Sequence, residues 1–265
     1  MEKLPAKAGW LWIKRGFAIF RKQPIEISTL LLTYMFLMFA VGVIPWLGQL
    51  LPMILLPVFA MAFMQACIHV EQGKRVLPSV LLTGFRSPQI KNLLILGCVH
   101  LIVAIGVIGA SALVDDGTFW QVVTGQIQLD AKNVKDLDIS QAMLFSCALY
   151  VPFAMAFWYA APLVAWKKMG VFQALFYSFF AVWGQFKAFV AYSLVWTAIG
   201  TIVPTIIGTI TALIFGSTGA AITLLLPLSL MMTVVLYCSF YPAYTDVFGI
   251  PDDAQDKLPT SSKAQ

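Results

Sequence analysis

The chain has 265 residues, of which 60% are hydrophobic and only 11% are charged, and its formal net charge is +5. Its mean hydropathy is +0.85. These values exclude an ordinary soluble domain and predict a chain that is surrounded mostly by lipid.

The first 24 residues have the pattern of an amphipathic helix. On a helical wheel, the cations Lys14, Arg15, Arg21 and Lys22 lie together with Lys7. The opposite arc holds Trp10, Trp12, Ile13, Phe17, Ile19 and Phe20. The pattern predicts a helix over 1–24 in the cytoplasmic interface, with its rings at headgroup depth. Lys14, Arg15, Arg21 and Lys22 are then candidate contacts for anionic lipid headgroups. The alternative is a topology anchor with no further role.

Six long apolar stretches follow. A hydrocarbon core about 30 Å thick needs about 20 apolar residues for each crossing helix. The predicted transmembrane helices cover residues 25–45, 48–70, 92–114, 141–166, 187–215 and 219–245. Together they predict an all-α polytopic membrane protein with one integral membrane domain over 1–265.

The distribution of cations predicts the orientation. Basic residues are concentrated before the first span, between the second and third, and between the fourth and fifth. The connection 115–140 contains more acidic than basic residues, whereas the tail 249–265 contains Lys257 and Lys263. By the positive-inside rule, we expect the acidic loop 115–140 outside and both termini in the cytoplasm.

A five-residue phrase occurs twice. Phe59–Phe63 and Phe153–Phe157 have the same sequence, and each copy follows a proline inside a long apolar run. The duplication predicts an internal repeat whose unit is an interfacial amphipathic helix, an ascending span and a descending span. Three such units would form three hairpins, and a pseudo-threefold bundle is a hypothesis for their packing.

The fifth span carries small residues at a spacing of four. They are Gly200, Pro204, Gly208, Ala212 and Gly216. Helices in lipid associate closely where small residues face each other, so the stripe predicts a tight helix contact at Gly208.

Few polar side chains lie at membrane depth, and such groups are candidates for function. His100 lies well inside the third span. Gln65 and Tyr159 occupy equivalent positions after the two copies of the duplicated phrase. The three define a candidate intramembrane polar site, although hydrogen bonds between helices are the alternative reading.

No motif indicates catalysis, a cofactor or a nucleotide. Cys67 and His69, like Cys98 and His100, are two residues apart and point in different directions on a helix, so neither pair closes on one metal ion. The sequence therefore predicts no catalytic, cofactor or metal site, no enzyme activity and no nucleic-acid partner.

The stretch Gly9–Pro24, GWLWIKRGFAIFRKQP, together with the six spans, resembles a family of uncharacterised bacterial inner-membrane proteins with six spans. It is also distantly similar to the membrane domain of some glycerophosphodiester phosphodiesterases. The resemblance implies a multi-pass protein of the bacterial inner membrane, and it carries no activity or site residues.

Two functions are consistent with this sequence. The first is a non-enzymatic membrane protein that organises lipid, which we expect to be anionic, or that assists assembly with a membrane-protein partner. The second is a transporter of a small molecule or lipid, with its polar site near the third span.

Overall fold

The computed structural model describes residues 3–44, 47–127, 139–215 and 218–251. Within these ranges the secondary structure is helical and contains no β-strand. The predicted acidic loop beyond residue 127 (to 138) and the predicted tail beyond residue 251 lie outside the described residues. The helices are α1 (Lys7–Lys22), α2 (Pro24–Gly42), α3 (Leu47–Glu71), α4 (Ile90–Ala110), α5 (Ala112–Asp115), α6 (Thr118–Val123), α7 (Ile139–Trp158), α8 (Ala160–Trp166), α9 (Val171–Gly184), α10 (Phe186–Phe215) and α11 (Thr218–Phe248), and a 3₁₀ segment spans Pro78–Leu82.

Six helical stretches in the described part of the chain are long and apolar enough to cross a membrane, which confirms the predicted six spans. They are Pro24–Gly42, Leu50–Glu71, Ile90–Asp115, Ser140–Trp166, Phe186–Ile214 and Ile222–Phe248. Their bounds lie within about three residues of the predicted ones, because span length follows directly from the thickness of the hydrocarbon core.

The fourth span is interrupted at Tyr159, between α7 and α8. The backbone N–H of Tyr159 donates to Ser178 Oγ at 2.9 Å, and Ser178 Oγ donates to the carbonyl of Met155 at 2.9 Å. A hydroxyl group from α9 thus stands between the two backbone groups that would pair in a continuous helix. Pro162 removes a further donor in the next turn. The interruption anchors α9 to the fourth span.

The two described chain ends lie at one end of the bundle, which we call the terminal end. Arg15 near the start contacts Asp246 near the end of α11 at 2.6 Å. Gln23, between α1 and α2, donates from Nε2 to the carbonyl of Lys74 at 2.7 Å. The loop after α3 therefore also lies at the terminal end, and we call the opposite end distal.

Burial is concentrated toward the terminal end. Near the start of α2, Ile27 and Leu30 are buried, whereas Phe36 and Phe39 farther along are each 74% exposed. Helix α3 is the most enclosed span: 56% of its most apolar 18-residue stretch is buried, compared with 6% in α10. The distal parts of the outer helices thus present apolar side chains to the surrounding hydrocarbon.

Helix α1 is packed into the bundle, against α10 and α11. The ring of Trp12 is fully buried and lies 5.2 Å from that of Phe189. A Cβ atom on Gly16 would lie 2.7 Å from the Cα of Ser239, so the two helices touch at their backbones. Trp12 Nε1 also donates to Asp246 Oδ2 at 2.9 Å.

Protein covers most of the apolar arc of α1. Trp12, Ile13 and Ile19 are buried among protein side chains, so they are not available to lipid. Only Trp10 and Phe17, at the edge of the arc, remain exposed. The apolar side of the amphipathic pattern is therefore covered mainly by α10 and α11.

The predicted repeat places a second interfacial helix before the third span, and this helix is shorter in the structure than the first. The segment forms only the five-residue 3₁₀ helix Pro78–Leu82 and then turns. Pro88 disfavours helical backbone in Ser87, the residue before it. Val80 and Leu81 are nevertheless buried, and the segment packs against α3.

The predicted close contact along the small-residue stripe of α10 is wrong. A Cβ on Gly200 would meet nothing within 4 Å, and one on Gly208 would meet only the flexible end of Leu225 at 3.6 Å. Gly216 lies outside the described residues. The tight helix contacts occur elsewhere: a Cβ on Gly97 of α4 would fall on the backbone of Ile54 in α3.

Candidate functional site

His100 is half-buried between α4 and α7. Its Nε2 is 2.9 Å from the hydroxyl of Tyr150, and its ring lies 4.8 Å from the ring of Phe157. At 1.5 Å per residue, His100 is about 15 Å from Ile90, where α4 begins. The contact joins two spans near the middle of the bilayer, where an unpaired imidazole would be costly.

Tyr159 has a different set of partners. Its side chain is buried, and its hydroxyl donates to the carbonyl of Ala243 in α11 at 3.0 Å. Gln65 is half-buried in α3. His100 and Tyr159 therefore pair with different helices, and the structure gives the three predicted residues no shared hydrogen bond. Each of the two established contacts fastens one helix to another.

The four cations predicted to contact lipid differ in their surroundings. Arg15 forms an ion pair with Asp246, whereas Lys14, Arg21 and Lys22 are exposed. Of the exposed rings on the same helix, Trp10 is 47% accessible and Phe17 is 40% accessible. We call Trp10, Lys14, Phe17, Arg21 and Lys22 the α1 surface. It combines aromatic rings with cations, which is the composition of an interfacial helix.

Helix α9 carries a second exposed surface that contains no charge. Its small residues Ala174, Ser178 and Ala181 are buried against the bundle. Five large aromatic side chains on its other face are exposed, and we call them the α9 surface: Phe172, Phe176, Tyr177, Phe180 and Trp183. The exposed cations Lys167, Lys168 and Lys187 flank this helix in the sequence. Aromatic side chains are enriched at headgroup level because one side of the interface is apolar and the other is wet.

The sequence indicated α9 only weakly. Its helix was expected, but the exposure of the five large rings was not, because nearly every residue of the segment is apolar. The spacing of small residues at 174, 178 and 181 was the available signal, since small residues mark the side of a helix that approaches a neighbour.

A shallow pocket of about 440 Å³ lies at the distal end, beside α4 and α6. Ile105, Gly109, Trp120 and Gln121 contribute to its lining. The lining contains no charged side chain. Across the described ranges, no group of three or more His, Cys, Asp or Glu residues is placed to hold a metal ion.

Comparison with known proteins gives one informative relative. A protein of Burkholderia thailandensis, named as a probable inner membrane protein, is 35% identical over 268 aligned residues. The alignment covers 98% of this chain and 98% of the relative. No family model and no solved structure matches the chain.

Proposed function

The chain belongs to the same family as the Burkholderia thailandensis inner membrane protein and is a multi-pass inner-membrane protein, and we propose that it organises anionic lipid in the leaflet at its terminal end. The proposed lipid-binding region is a collar formed by α1, the 3₁₀ segment and α9. The proposed role is non-enzymatic.

The orientation in this proposal follows from charge. The described cations lie in the segments at and around the terminal end, including α1, the loop after α3 and the residues beside α9. Asp115 and Asp116 lie beyond the distal end of α4. The positive-inside rule then favours a cytoplasmic terminal end, so that the collar faces the leaflet that carries anionic lipid.

The three parts of the collar have similar neighbours, which supports a threefold repeat. Helix α1 packs against α11, the 3₁₀ segment against α3, and α9 against α7. Gly16, Gly84 and Ser178 occupy these three contacts, and a Cβ on Gly84 would fall on the carbonyl of Val58 in α3. We propose that each collar segment braces the descending helix of the preceding unit, with α1 closing the ring on α11.

The lipid proposal rests mainly on the exposed rings of the α9 surface. Phe172 is 77% exposed and Trp183 is 61% exposed. Such a surface is costly in water and stable at the boundary of headgroups and acyl chains. Lysines before and after it, with the cations of the α1 surface, attract anionic headgroups at about 1 kcal/mol for each cation near the surface.

Spin-labelled lipids test the proposal in reconstituted bilayers. We expect the protein in phosphatidylcholine to restrict labelled phosphatidylglycerol at least about threefold more than labelled phosphatidylcholine. The combined variant Lys14→Gln, Arg21→Gln and Lys22→Gln should reduce this preference toward equality because attraction to the headgroups is lost. High salt should reduce the wild-type preference as well.

The matched control is Lys132→Gln with Lys135→Gln, which changes two cations in the connection predicted to face the other side. The control should keep the preference for phosphatidylglycerol. Equal restriction of both lipids by the wild-type protein at low salt would reject the proposed function.

Transport, the second function suggested by the sequence, gains no specific support from this geometry. His100 and Tyr159 each bind a partner inside the bundle. A role in assembling a membrane complex remains the other outcome, and it would depend on a protein partner in place of lipid.

A further inference from the structure

The junction between α1 and α2 holds the loop that follows α3. Gln23 lies between the two helices, with a non-helical backbone (φ −144°, ψ 66°). Its Nε2 donates to the carbonyl of Lys74 at 2.7 Å, and its Oε1 accepts from the backbone N–H of Val76 at 2.9 Å. One neutral side chain thus satisfies two backbone groups of the loop and fixes its position.

This attachment holds the loop that carries Lys74 and Arg75 at the end of α1. Arg21 and Lys22 end α1 immediately before Gln23, and Lys74 and Arg75 lie in the loop that Gln23 binds. We call these four cations and Gln23 the corner. All four cations are exposed, so their charges are directed toward water or headgroups. Cations that are fixed close together repel one another and favour a ligand with more than one negative charge.

Two acidic side chains reduce the charge of the corner. Glu26 Oε1 lies 3.3 Å from Arg75 Nε, and Glu71 ends α3 three residues before Lys74. Four cations and two carboxylates leave a net charge of about +2, which balances two singly charged phosphates. Lys74 Nζ also donates to Gln72 Oε1 at 2.9 Å, which orders its side chain.

Apolar side chains border the corner. Ile25 is 76% exposed at the start of α2, and Leu77 is 54% exposed immediately after the fixed loop. A soluble anion would leave these two apolar side chains uncovered, whereas the acyl chains of a lipid would cover them. Basic pockets between membrane helices on the cytoplasmic side are suited to lipids with several phosphates.

We infer that the corner is a binding site for a lipid headgroup with two phosphates, such as that of cardiolipin. The inference rests on the proposed function and narrows it, because it assigns one part of the collar to one class of anionic lipid. Gln23 acts as a positioning residue that holds the two pairs of cations together.

The decisive experiment compares spin-labelled cardiolipin with spin-labelled phosphatidylglycerol in phosphatidylcholine bilayers. We expect wild-type protein to restrict cardiolipin about fivefold more strongly at equal phosphate. Gln23→Ala leaves the charge unchanged but releases the loop, so it should lose most of this difference and keep its preference for phosphatidylglycerol over phosphatidylcholine.

Two further measurements complete the test. The double variant Lys74→Gln with Arg75→Gln should also abolish the preference for cardiolipin. This variant gives a result even if Gln23→Ala does not fold. Inorganic pyrophosphate at matched concentration should not displace cardiolipin, because it lacks acyl chains; equal competition would reject a lipid site.

The corner inference can fail while the proposed lipid function stands. If wild-type protein prefers phosphatidylglycerol but restricts cardiolipin no more strongly at equal phosphate, the corner inference is overturned and the proposed function stands. If Gln23→Ala retains the full preference for cardiolipin in a folded protein, the positioning role of Gln23 is rejected.

Discussion

Trp12→Ala should lower the free energy of unfolding by about 3–5 kcal/mol, the usual cost of truncating a large buried aromatic side chain. The indole is fully buried and packs against Phe189 and Tyr192 of α10 at 5.2 and 5.9 Å. It also donates a hydrogen bond to Asp246 in α11. The substitution therefore leaves a cavity and removes one attachment of α1. Titration with a denaturing detergent, followed by circular dichroism, measures the change.

Trp10→Ala is the matched control, because it makes the same chemical change two residues earlier in α1. Trp10 is 47% exposed, so its truncation should change the free energy of unfolding by less than about 1 kcal/mol. Equal destabilisation by the two variants would contradict the packing of α1 against α10 and α11.

Gly97→Ala should destabilise the protein by about 1–3 kcal/mol, as expected where an added methyl group has no space. A Cβ on Gly97 would fall on the carbonyl oxygen of Ile54 and lie 2.8 Å from its Cα. These are backbone atoms of α3, so no side-chain rotation relieves the overlap and the two helices must move apart. The same detergent titration measures the effect.

Gly106→Ala provides the control on the same helix. A Cβ at Gly106 would meet nothing within 4 Å, and alanine favours helical backbone by up to about 1 kcal/mol relative to glycine. We expect unchanged or slightly raised stability. If Gly106→Ala lowered the free energy of unfolding as much as Gly97→Ala does, the two glycines would not differ in their neighbours.

Composition and hydropathy predicted the class and the six spans, because both follow from the thickness of the bilayer. The interruption at Tyr159 was not predicted. It depends on the hydroxyl of Ser178, a residue 19 positions away, and no local pattern specifies that contact. Pro162 indicates that the helix is weakened at this point, but it does not identify Ser178 as the residue that binds there.

The role of glycine could not be predicted from spacing. The regular stripe of α10 includes Gly200, which has open surroundings, and Gly208, where a Cβ would meet only the side-chain end of Leu225, whereas Gly16 and Gly97 touch neighbouring backbones. Spacing identifies a smooth helix face, but the position of the neighbouring helix determines whether that face is used.

The α1 surface illustrates the same limit for the candidate site. An amphipathic pattern distinguishes an apolar face from a polar one, but it does not state whether lipid or protein covers the apolar face. Trp10 and Trp12 were equivalent in the sequence, and the structure separates them. Arg15 was likewise grouped with Lys14, and only the structure supplies its partner, Asp246.

Native mass spectrometry of the protein, gently extracted from its own membrane, tests whether the protein holds anionic lipid. We expect a lone chain that retains anionic phospholipid, and a loss of that lipid in the Lys14→Gln, Arg21→Gln and Lys22→Gln variant. A stoichiometric protein partner with no retained anionic lipid would contradict the proposed lipid role and favour assembly of a membrane complex.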